Sequence, residues 1–181
     1  MVIVALIVTL LMQALGQSLN LRGRVLRHQR QAIAAALQEQ WFRDTVSTAL
    51  SDLPDVLGRM AGEADELELV TPRALGGGEL QRVRWSLQSV SGGVALHYGD
   101  STWPDLTVIE GPLLDAAFAY LDAAGEWHDE WAPAADSQEV LPRIVRLQAL
   151  TTTGELLWLV PVAADARPPR FLRPEDVVNG L

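Results

Sequence analysis

The sequence predicts an α+β fold, a long N-terminal helix packed on an antiparallel β-sheet domain, on three observations. Residues 1–21 carry no charge, residues 22–53 keep a helical apolar period, and beyond Pro54 the period changes to alternation. The length of 181 residues suits one domain with an appendage, and a hydrophobic content of 49% supplies a core.

The first element is residues 1–21, in which Val2, Ile3, Val4, Leu6, Ile7, Val8, Leu10 and Leu11 form an apolar run. As a helix it would be about 30 Å long, enough to cross a bilayer. Its Val, Ile and Leu residues together favour insertion by about 3–5 kcal/mol, before Thr9 and Gln13 subtract. Three readings fit: a buried core helix, a signal peptide with a small-x-small site at Ala14-Leu15-Gly16, and a retained membrane anchor. The anchor is carried forward. A basic segment ahead of the apolar run is missing, and the helical period continues past Leu21 without a breaker.

The second element, residues 22–53, is an amphipathic stalk. Arg22, Arg24, Arg27, His28 and Arg30 open it, a cluster suited to anionic lipid headgroups. Leu26, Ile33, Leu37, Trp41 and Val46 recur at helical spacing as a candidate stripe for partner helices, while Gln38, Glu39, Arg43 and Asp44 fill other faces. Pro54 stops the pattern, with Ser51 and Asp52 just before it.

The third element, residues 54–163, reads as strands. Leu67 and Leu69 alternate with Glu66 and Glu68; Val83, Trp85 and Leu87 alternate with Arg82, Arg84 and Ser86. Residues 94–98, 106–109, 145–149 and 156–160 add further strands, and Leu114, Ala116, Phe118 and Tyr120 share one face of another. Turn signals at residues 76–78, 91–93, 111–112, 125 and 153–154 separate them as antiparallel hairpins. Residues 131–142 form a long surface loop, and residues 164–181 a Pro- and Arg-rich tail.

Composition narrows the function. A net charge of −9 disfavours nucleic acid. The absence of cysteine excludes disulfides, thiolate metal sites and a thiol nucleophile. His97, Asp100, Ser101 and Asp105 lie close in sequence, but no nucleophile-elbow pattern surrounds them and residues 99–101 read as a turn. His128, Asp129 and Glu130 are adjacent and project in different directions, so no metal site is expected. Gly76-Gly77-Gly78 lacks the Lys and Ser/Thr of a phosphate loop. Trp127 and Trp131 are either core packing or a surface platform. No catalytic residue and no cofactor is expected, and an enzyme is the least favoured class.

The stretch from Phe118 to Trp131, then Leu141-Pro-Arg-Ile-Val-Arg-Leu147 and Leu80-Gln-Arg-Val-Arg-Trp-Ser-Leu87, resembles the J-type minor pseudopilin of type II secretion systems. That family shows a strand, an Asp-x-x-Gly turn, paired tryptophans and a Leu-Pro before the next strand. The resemblance implies a pilin-like fold anchored in the inner membrane, with the domain in the periplasm. It also implies partners of the I, K and H types in a pseudopilus tip that contacts exported cargo and primes assembly, without catalysis. A basic leader and a Gly-Phe-Thr-Leu-x-Glu-like processing motif are lacking; Met1 aligns just after that glutamate, which is expected of a late-starting chain. Without a leader, the cluster at residues 22–30 would by itself point the domain into the cytoplasm. Two alternatives stay open: a minor pilin of a type IV pilus, and a secreted soluble β-rich binding domain with residues 1–16 removed.

Overall fold

A computed structural model describes residues 29–30, 32–51, 59–77, 80–133 and 139–164. The anchor residues Val2 to Leu11 and the stripe residue Leu26 lie outside the described residues, as do Leu53, Pro54 and all but the first residue of the tail. No helix among the described residues is long and apolar enough to cross a membrane. The chain falls into two compact units, one ending at Gln40 and one beginning at Trp41.

The described residues of the second unit form an antiparallel sheet of eight strands beside the helical residues 41–47. They are β1 (Ala61–Gly62), β2 (Glu66–Thr71), β3 (Gln81–Val90), β4 (Gly93–Gly99), β5 (Leu106–Leu121), β6 (Trp127–His128), β7 (Ile144–Thr151) and β8 (Gly154–Pro161). The order is β1-β2-β3-β4-β5-β7-β8, with β6 paired to β5. The alternation along β3 fits its register: Val83, Trp85 and Leu87 are buried while Arg82 and Arg84 face out.

The α+β expectation is corrected. Strands make up 51% of the described residues and curl into a half-barrel, with one short helix and no long helix packed on a sheet among them. The pilin-like layout is therefore not what these residues form. Helical residues run over 32–47, with 29–30 also helical, and stop well before Leu53. The local chemistry explains the stop. Thr45 and Thr48 turn their hydroxyls back onto the carbonyls of Trp41, Phe42 and Asp44, an arrangement that weakens a helix. Tertiary bonds then take the chain: Leu50 N–H donates to Val70 O at 2.9 Å, and Ala163 N–H donates to Ser47 O at 2.9 Å. The carbonyl left open at the helix end is thus satisfied by the far end of the chain.

β5 also departs from expectation. Gly111-Pro112 is not a hairpin turn but a bend inside one sixteen-residue strand. The first half of β5 pairs with β4 and the second half with β7, with register shifts on both sides. Each extra residue flips the face of the residues after it. Leu113 is buried before the shift, and Phe118 and Tyr120 after it, which leaves Leu114 exposed rather than in line with them. Gly111 suits the bend: its φ is +77°, and a Cβ there would lie 2.4 Å from Val94 O.

The core is aromatic. Phe42 of the helix is fully buried, with ring centroids 5.2 Å from Trp85, 6.2 Å from Phe118 and 5.4 Å from Trp158. Trp85 Nε1 donates to Thr45 Oγ1 at 3.1 Å, which satisfies a buried indole. The expected surface loop at residues 131–142 is anchored at both ends by core residues. Trp131, Val140 and Leu141 are buried, and Trp131 Nε1 donates to Val140 O at 3.3 Å.

Candidate functional site

The sequence-predicted stripe splits into two parts. Val46 is fully buried in the unit's own core, and Trp41 packs against that core. Neither is an open partner-facing residue: Phe42, Thr45 and Val46 form the face that the sheet covers, and Trp41 flanks it. Ile33 and Leu37, one helical turn apart, are 61% and 48% exposed. These two are the residues of the stripe that meet solvent among those described.

The two tryptophans also separate. Trp131 is only 8% exposed, so it is not a surface platform. Its backbone exchanges both hydrogen bonds with Gly62, at 2.9 and 2.8 Å, and its ring lies 6.5 Å from Tyr120. Gly62 makes room for Tyr120 rather than for Trp131, because a Cβ there would lie 2.0 Å from the Tyr120 hydroxyl. Trp127 is 42% exposed, and the Arg146 guanidinium sits 4.5 Å above its ring.

The acid–histidine groups are held by local bonds. His97 Nδ1 meets Asp105 Oδ1 at 2.6 Å. Ser101 Oγ instead donates to Gln81 Oε1 at 2.7 Å, so the three do not form a relay. Asp100 organises two loops. It accepts from Tyr98 Oη at 2.7 Å, from the amides of Thr102 and Trp103, and from Gly76 N at 3.0 Å. Burial pushes the Asp100 carboxyl up, but these hydrogen bonds outweigh it and hold it below its ordinary value. Burial, and then the bond to Asp100, push the Tyr98 hydroxyl up.

One cluster escaped sequence reasoning. His128 is brought not to Asp129 and Glu130 but to Asp122 and Glu126, with ligand atoms of all three within 4.8 Å of one another. The signal was the turn itself: Tyr120 pairs with His128 and Leu121 with Trp127, so residues 122–126 close a hairpin. His128 Nε2 meets Asp122 Oδ2 at 2.8 Å, and Glu126 N donates to Asp122 Oδ1 at 2.8 Å. The His128 contact, and then the Glu126 amide, hold the Asp122 carboxyl below its ordinary value. With both carboxylate oxygens engaged, the cluster works as a clamp on the turn.

Two clefts flank Trp131. One, of about 340 Å³, is lined by Glu63, Asp65, Glu66, Glu68 and Glu130; the other, of about 240 Å³, by Asp122, His128, Glu130 and Glu139. Their carboxylates repel anions such as phosphate backbones. No nucleophile–base pair of the hydrolase kind lines either cleft. A comparison with protein-family models and with curated proteins finds no match to this chain.

Proposed function

We propose that this protein is a non-enzymatic assembly subunit, a minor pseudopilin of the J type in a type II secretion system. Its N-terminal segment is anchored in the inner membrane and its β-domain stands in the periplasm. It joins subunits of the I, K and H types at the pseudopilus tip, which primes assembly and supports export of folded cargo. The observation that carries this reading is the exposed pair Ile33 and Leu37 on a helical segment. Apolar side chains on one helix face favour burial against a partner helix. The sequence resemblance over residues 80–87, 118–131 and 141–147 supports a type II secretion machine, with a type IV pilus as the alternative.

The test is co-purification of the full chain in detergent with the I- and K-type pseudopilins of the same genome, followed by size exclusion with mass detection. A three-way complex is expected. The double variant Ile33→Asp, Leu37→Asp dissolves it without lowering the melting temperature of the β-domain. A wild-type chain that elutes alone overturns the reading.

A further inference from the structure

The outer face of β5, β7 and β8 carries an unusual concentration of exposed apolar side chains. Five of the ten large apolar residues exposed among those described lie here: Leu114, Trp127, Leu150, Leu157 and Leu159. The alternation puts them together. Val145, Leu147 and Ala149 of β7 and Trp158 and Val160 of β8 point into the core. Their neighbours therefore point out, and the register sets Leu159 opposite Arg146, Leu157 opposite Gln148 and Leu150 opposite Leu114. Trp127 reaches the same face, since it lies under the Arg146 guanidinium. Scattered surface leucines need no explanation, but a contiguous set across three strands does.

Arg146 makes this face chemically specific. Its Nε–H is buried with no hydrogen-bond partner, and no carboxylate pairs with its guanidinium among the described residues. On the β2–β3 face, by contrast, Arg82 is paired with Glu68 and Arg84 with Glu66. In a chain of net charge −9, carboxylates are abundant, yet none of the described ones meets this cation. Stacking on Trp127 leaves the guanidinium charge without a carboxylate, and a carboxylate brought to it would form a charge-assisted pair.

We infer that the outer face of β5–β7–β8 is a docking surface for a partner-protein segment that is apolar and carries one carboxylate, the leucines and Trp127 taking its apolar side chains and Arg146 its charge. Complementarity with the unpaired guanidinium selects an acidic partner residue. The strongly acidic chain argues against a membrane of anionic lipids, which its net charge would repel. The inference rests on the assembly reading above, because the partner subunit is taken from the same tip complex.

The experiment uses the full chain in detergent with the I- and K-type pseudopilins, comparing wild type, Arg146→Glu and Leu157→Asp with Leu159→Asp. These positions lie on the outer face, and circular dichroism melts confirm that each variant is folded. Both patch variants are expected to weaken the complex by about tenfold or more. An Asp→Arg or Glu→Arg change on the partner is expected to recover binding to Arg146→Glu. A wild-type complex that both variants leave unchanged overturns the docking surface and leaves the assembly reading standing, whereas absence of any wild-type complex overturns both. Two further outcomes also overturn it. If the variants abolish only self-association of the purified chain, the occupant is a second copy. If they abolish only binding to phosphatidylglycerol vesicles, it is a lipid surface.

Discussion

Gly111 shows how a single residue shapes this sheet. Its φ of +77° and the 2.4 Å approach of Val94 O to any added Cβ leave no room for a side chain. Gly111→Ala is expected to cost about 2–4 kcal/mol, read as a fall in the denaturant midpoint, because strain and a backbone clash add. Asp100 acts differently, by satisfying the amides of Gly76, Thr102 and Trp103 and the Tyr98 hydroxyl at once. Asp100→Ala is expected to cost about 1–3 kcal/mol, chiefly through the orphaned donors. The pH sign follows from the depressed carboxyl. Its stabilisation is complete above the ordinary value of 3.8 and is lost as the pH falls through the lower folded value. Melting temperatures of wild type are therefore expected to drop more steeply below about pH 4 than those of Asp100→Asn.

Among the elements, the short helix owes its place to one face. Phe42 and Val46 are one turn apart and fully buried, while Thr45 accepts the Trp85 indole N–H. Phe42→Ala is expected to cost about 3–5 kcal/mol by chemical denaturation, since a buried ring touching three aromatic neighbours leaves a cavity. Periodicity shows this face only in part: Val46 recurs at helical spacing, but within a stripe assigned to partner helices, and Phe42 is not singled out. It could not show where the helix stops. Thr45 and Thr48 are legible as weak helix formers, but the bonds to Val70 and Ala163 that end the element come from residues distant in sequence. β5 teaches the same lesson. A Gly-Pro pair flanked by apolar runs signals a turn, and only the pairing of β5 with both β4 and β7 turns it into a bend.

On the scale of the molecule, two apolar surfaces stand out, each tied to its own prediction. The pair Ile33 and Leu37 belongs to the first unit; charge there is expected to remove partner binding and spare the melting temperature, because neither residue contributes to the buried core. Trp41, read from the sequence as part of the same stripe, is a poor probe, since changing it would disturb the core it packs against. The leucine face of β5–β7–β8 belongs to the second unit and is tested separately through Arg146.

The sequence by itself determined the alternation that places Val83, Trp85, Leu87, Val145 and Leu147 inside, the turn signals at residues 91–93 and 153–154 that separate β3 from β4 and β7 from β8, and the acidic balance that disfavours nucleic acid. These are local or additive properties, carried by periods of two residues and by summed charge. What tertiary structure alone decided was which of two similar residues goes inside. Trp131 is buried, its backbone bonded to Gly62 and its indole N–H to Val140 O, while Trp127 stays outside under Arg146. His128 meets Asp122 rather than its neighbours in sequence, because a hairpin closes over residues 122–126. Such choices depend on partners far along the chain and on register shifts that invert a face, and neither leaves a signature in a local pattern.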